Sequence, residues 1–99
     1  VLIRGVGPTL ASLGVGGTLA DPVLEVYREG SNTPIATNDD WAGTQIPAVS
    51  GRVGAFALAP GSRDAAIIMN LEPANYSVQV KGKGAATGVA IMEVWEVDN

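Results

Sequence analysis

In Tyr76-Ser77-Val78-Gln79-Val80-Lys81 apolar and polar residues alternate, the period of a strand with one buried face and one face in water. The run from Val23 to Arg28 has the same character, and the Gly/Ser/Asn/Pro turn from Gly30 to Pro34 separates it from a short strand, Ile35 to Asn38, making one hairpin unit. Val1 to Val6, Ala65 to Leu71 and Gly88 to Val97 also read as strands, rich in β-branched and apolar residues. The segment from Val89 to Val97 is apolar at both parities, which predicts a central strand or one covered on both sides, and Ala65 to Met69 is two-sided as well. Between Gln45 and Phe56, Ile46, Val49, Val53 and Phe56 recur at helical spacing behind a Thr44 cap, with Pro47 tolerable only in the first turn. A further helical turn is expected around Thr9 to Leu13. Turn residues punctuate the chain at short intervals, as in an antiparallel sandwich. The prediction is a single all-β domain over residues 1–99, an antiparallel two-sheet β-sandwich with one or two short helical turns. Leu24, Val26, Ile67, Tyr76, Val78, Val80, Ile91 and Val94 are expected to lie inside it.

Composition narrows the chemistry. The chain has 99 residues, no cysteine and no histidine, which removes disulfides, thiol nucleophiles, imidazole bases and Ser-His triads together. Six basic residues stand against ten acidic ones and are scattered, so no phosphate-tracking patch and no nucleic-acid partner is expected. No apolar run approaches the ~18 residues of a membrane span, and no signal-peptide pattern stands at the start. The abrupt opening on Val1-Leu2-Ile3 reads as a mature or excised segment. With 46% hydrophobic and only 16% charged residues, so short a chain is expected either to pack in two efficient layers or to carry apolar surface that a neighbour covers.

Several runs carry a family resemblance: Val1-Leu2-Ile3-Arg4-Gly5-Val6-Gly7-Pro8-Thr9-Leu10, Leu19-Ala20-Asp21-Pro22-Val23-Leu24-Glu25-Val26-Tyr27, Asn38-Asp39-Asp40-Trp41, Gly54-Ala55-Phe56-Ala57-Leu58, Gly61-Ser62-Arg63-Asp64-Ala65-Ala66, Tyr76-Ser77-Val78-Gln79-Val80 and Thr87-Gly88-Val89-Ala90. Together they resemble a repeated module of large secreted and surface proteins of environmental bacteria. That module is in turn similar to the bacterial pre-peptidase C-terminal domain, a jelly-roll-like β-sandwich. The resemblance covers nearly the whole chain and implies an extracellular, non-catalytic module. It also implies two further strands ahead of the Val-Leu-Ile-Arg run. Without them a sheet edge would stand open, to be covered in a tandem array or by a neighbouring subunit through strand addition.

Asn38, Asp39 and Asp40 put hard oxygen ligands on one loop, where Asp21 or Asp64 could join them around a calcium ion; an Asx turn explains the same residues without an ion. Trp41, on the same loop, is the aromatic a sugar ring could reach, whereas Trp95 lies within a strand and is expected to pack or to form an interface. Arg4, and Arg63 with Asp64, are expected to make structural ion pairs or interface contacts. Gly5-Val6-Gly7-Pro8 lacks the Lys-Ser/Thr ending of a phosphate loop. Asn75-Tyr76-Ser77 matches a glycosylation sequon and equally a turn before a strand.

No nucleophile, base or established metal cluster is marked, so no enzymatic activity and no cofactor other than calcium is expected. The expected function is structural: a building block of an extracellular surface filament, array or adhesive stalk whose partner is another copy of itself. The expected interface residues are Val1, Leu2, Ile3 and Arg4 at one end and Val94 and Trp95 at the other, joined head to tail. The alternative is a carbohydrate- or calcium-binding accessory module of a larger secreted protein.

Overall fold

The computed structural model describes residues 1–97. Along them run β1 (Leu2–Val6), α1 (Pro8–Ser12), β2 (Pro22–Arg28), β3 (Ala36–Asn38), α2 (Gln45–Val53), β4 (Ala65–Ile68), β5 (Tyr76–Gly82) and β6 (Ile91–Trp95), with a 3-10 turn at Lys83–Ala85. The strands form two antiparallel three-stranded sheets, β4-β1-β6 and β3-β2-β5. The chain is therefore the all-β two-sheet sandwich its alternation predicts.

β1 is the centre of the molecule. It pairs with β4 on one side and β6 on the other, and every one of its residues is buried. Its two faces serve two cores. Ile3 packs with Leu24, Val26 and Ala65 between the sheets, and Leu2 and Val6 pack with Leu10, Ile46 and Leu58 beneath α2. Gly5 belongs to the inter-sheet face. A Cβ placed there would lie 3.2 Å from Val80 Cγ2, so its bare backbone lets β5 close onto β1.

α2 follows the predicted apolar spacing and ends where Gly54 adopts φ +81°, a left-handed conformation that glycine enters without steric cost. It stops short of Phe56, and Thr44 makes no side-chain cap. β4 ends at Ile68 rather than Leu71, and β6 is confined to Ile91–Trp95 within the predicted run from Gly88 to Val97.

The two-sided apolar run of β6 marks neither a central strand nor a covered one. Among the described residues β6 is an edge, bonded to β1 alone, and Ile91 and Val94, expected inside, are exposed. Ile67, Tyr76, Val78 and Val80 are half-buried, whereas Leu24 and Val26 are fully enclosed. One cause explains most of these differences. β4 and β1 pack on β3 and β2, but β5 and β6 diverge, leaving a cleft of about 450 Å³ whose walls include Val80, Ala90 and Met92. The sandwich is shut along one side and open along the other.

Candidate functional site

The acidic loop after β3 meets two other segments at one end of the β3-β2-β5 sheet. Asp21 precedes β2, Asp39 and Asp40 follow β3, and carboxylate oxygens of all three lie within 4.8 Å of one another. Lys83, just after β5, donates from Nζ to Asp39 Oδ2 at 2.8 Å, and Arg63 Nη1 lies 3.8 Å from Asp21 Oδ2. Asp21 Oδ1 and Asp39 Oδ1 are shielded from solvent and have no donor among the described residues. A proton held between the two acids would supply one. Hydrogen bonding to Asp39 accordingly raises Asp21 above the ordinary aspartate value, helped by burial, while the hydrogen bond from Lys83 lowers Asp39. The group is an ion-pair knot joining the ends of three strands, with carboxylate oxygens in excess of the cations that face them.

Asn38 is not part of this knot. Its Oδ1 accepts from Ala66 N at 3.0 Å and its Nδ2 donates to Asp40 O at 3.3 Å, so the amide stitches β3 to β4 across the closed side. Asp64 is elsewhere too. Fully buried, it accepts from the backbone of Gly7 and Thr9 and from the hydroxyls of Thr9 and Ser62, and so pins the start of α1. The expected Arg63–Asp64 pair is replaced by the long contact from Arg63 to Asp21.

Trp41 is held from both ends of its residue. Its Nε1 donates to Ser62 Oγ at 3.0 Å and its backbone N–H to Asp64 O at 2.9 Å. The indole borders a cavity of about 110 Å³ with Ile46, Pro47, Ala57 and Leu58. That is below the ~300 Å³ at which ligand pockets begin. Asn75, in the sequon, donates to Glu29 Oε2 at 2.7 Å as a turn residue before β5.

The expected interface residues divide between interior and surface. Both edges of β1 are occupied within the chain, and Leu2, Ile3 and Arg4 are completely enclosed, so these three expected interface residues offer no open strand edge to a neighbour. The backbone nitrogen of Val1 donates to Met69 O at 2.8 Å. Arg4 is an interior ion pair: Nε lies 2.7 Å from Glu93 Oε1, Nη1 donates to Phe56 O, and the guanidinium sits 4.6 Å from the Phe56 ring centre. Trp95 is half-buried against the α2 core.

Val94 is different. It is 54% exposed, Met92 48% and Ile91 40%, and Val89, just before the strand, is 50% exposed. Register with β1 assigns Met92 and Val94 to the inter-sheet face, beside the cleft, and Ile91, Glu93 and Trp95 to the α2 face. The one acid in β6, Glu93, is turned onto Arg4 rather than left as a guard on the edge.

Comparison with protein-family models, with curated proteins and with solved structures gives no match. The geometry therefore stands by itself. Sequence reading missed Lys83 and the role of Glu93. Lys83 stands in a Gly-rich turn, and nothing local ties it to an aspartate 44 residues away. Glu93 had a weak signal, being the only charged residue in an otherwise apolar strand.

Proposed function

We propose that this chain is a non-catalytic structural module, a building block of an extracellular filament, array or adhesive stalk, and that it meets its neighbours through β6. The observation that carries this reading is an edge strand with an exposed apolar row and no free charge. Natural edge strands are blunted by charges, proline or bulges, because an open ladder recruits other strands. β6 has none of these protections. Two of the other outer strands contrast with it, since β5 carries Ser77, Gln79 and Lys81 and β3 spans only three residues, and the third, the four-residue β4, has its outer edge capped where Ala66 N–H donates to Asn38 Oδ1. The extracellular setting follows from the resemblance to modules of secreted bacterial proteins. No helix among the described residues is long and apolar enough to cross a membrane.

Sedimentation velocity over a wide concentration range, with images of the particles formed, tests this reading. Concentration-dependent association into ordered particles is expected. A chain that stays monomeric throughout, with a melting temperature independent of concentration, overturns it.

One observation favours a second reading, the calcium-binding accessory module. Two shielded oxygens, Asp21 Oδ1 and Asp39 Oδ1, have no donor among the described residues and belong to a group of three carboxylates with oxygens within 4.8 Å of one another. If calcium displaces Lys83 there, saturating calcium raises the melting temperature and Asp39→Ala abolishes the rise. An unchanged melting temperature in calcium leaves the ion-pair knot as the complete description of these residues.

A further inference from the structure

Resting on the assembly reading, we propose that two copies of this chain pair antiparallel through the outer edges of their β6 strands, joining two β4-β1-β6 sheets into one continuous sheet about a two-fold axis. This differs from the head-to-tail contact expected from sequence. It specifies the partner, a second copy, and the register.

The edge itself calls for a strand. Among the described residues β6 is bonded only to β1, so the opposite side of its ladder faces solvent, and an extended segment is the protein partner that can take up those backbone groups in register. Its side chains then select which strand. Met92 lines the open cleft between the sheets, Val94 lies two residues further along the same inter-sheet face, and each is about half exposed. An occupant must therefore be apolar at alternate positions over the same short length, and β6 of another copy meets that description.

Full overlap of the five residues sets Glu93 opposite its own counterpart, Met92 opposite Val94 of the other copy, and Ile91 opposite Trp95. The Met92–Val94 pairs lie on the inter-sheet side, where Val78 and Val80 of β5 are only half covered, and the Ile91–Trp95 pairs lie with Glu93 on the α2 face. Opposed like charges normally forbid such a register. Here each Glu93 is already matched by its own Arg4 at 2.7 Å, so the pair brings together two neutral Arg–Glu units. Charge therefore permits the pairing.

Chain on the open side adds apolar surface without charge. From Gly5 to Ala20 there is no charged residue, and the segment ending this run is bonded to the strand approach, Val89 N–H to Gly17 O at 2.9 Å and Leu19 N–H to Val89 O at 2.8 Å. Five paired residues span only ~17 Å of ladder. That falls short of the ~800 Å² per partner of a stable interface, so a free pair should be weak and should gain strength where modules are held close together.

Absence of cysteine gives a clean test. Met92→Cys and Val94→Cys chains are prepared separately and then mixed under mild oxidation at high concentration. Opposed positions in an antiparallel pair bring Cβ atoms to ~4.5–5.5 Å, close to disulfide reach. The mixture is expected to form a disulfide-linked dimer several-fold faster than either variant does with itself. Equal rates in all three overturn the register.

Sedimentation equilibrium of Val94→Lys, with circular dichroism confirming the fold, gives the second arm. Ile35→Lys serves as its control, because Ile35 is 49% exposed and lies beside the opposite sheet. At least tenfold weaker association for Val94→Lys, with Ile35→Lys unchanged, is the expected result. Association that survives Val94→Lys overturns the β6 pairing and leaves the assembly reading standing. A wild-type chain monomeric at every concentration overturns both.

Discussion

Gly7 has no room for a side chain: a Cβ there would lie 2.1 Å from the carbonyl oxygen of Leu19. The clash is with backbone, which cannot rotate away. At the same residue the N–H donates to Asp64 Oδ1 at 2.8 Å, so strand β1, the segment before β2 and the loop before β4 all converge on one glycine. Gly7→Ala is accordingly expected to cost about 1–3 kcal/mol, the range for forcing extra volume into packed structure, as read by urea denaturation. Gly14→Ala tests a different cause. That glycine meets nothing within 4 Å but has φ +91°, so any loss there comes from backbone strain alone. Asp64 shows how far a residue type underdetermines its role. A carboxylate beside an arginine in sequence reads as half of an ion pair; in the fold it is an acceptor for backbone and hydroxyl donors, satisfied without Arg63.

Between elements, the polar cross-strand contacts of the β3-β2-β5 sheet set how it responds to pH. Lys81 on β5 lies 2.7 Å from Glu25 on β2. The hydrogen bond from Lys81 lowers Glu25 from its ordinary 4.5, and the reciprocal bond raises Lys81 from 10.5. A depressed carboxyl contributes stability that is present above its unfolded value and lost as pH falls through the folded one. The raised amine contributes stability that is present below its unfolded value and lost as pH rises through the folded one. The two windows overlap across neutral pH. Lys81→Met should therefore lower the melting temperature modestly between about pH 5 and pH 10, with the gap from wild type closing below the first limit and above the second, in a calorimetric series at low salt. Raising the salt concentration should shrink the gap, because Lys81 is largely exposed.

At the scale of the whole molecule, alternation and turn punctuation determined the elements: six strands near their expected positions, a short α2 and a helical turn at α1. These were legible because a strand with one wet face writes its period into local sequence, as Tyr76 to Lys81 does. Leu24 and Val26 could be assigned to the core for the same reason. Composition likewise excluded thiol and imidazole chemistry without reference to any fold. The order of strands within each sheet was not legible. β1 and β6 are both short apolar runs, and nothing in either says which is flanked twice; pairing with partners 60 or more residues away placed β1 in the middle and β6 at the edge. That single decision enclosed Leu2, Ile3 and Arg4, exposed Ile91 and Val94, and moved the candidate interface entirely to one strand. The acidic knot divides in the same manner. Adjacency made Asp39 and Asp40 visible as a pair, but only folding brought Asp21, Lys83 and Arg63 to them and took Asn38 away to Ala66. Local sequence thus determined what each segment becomes, since propensity and period act over a few residues. Tertiary structure decided which surface is left unfilled, because that depends on long-range pairing, which is chosen by the burial of the chain as a whole.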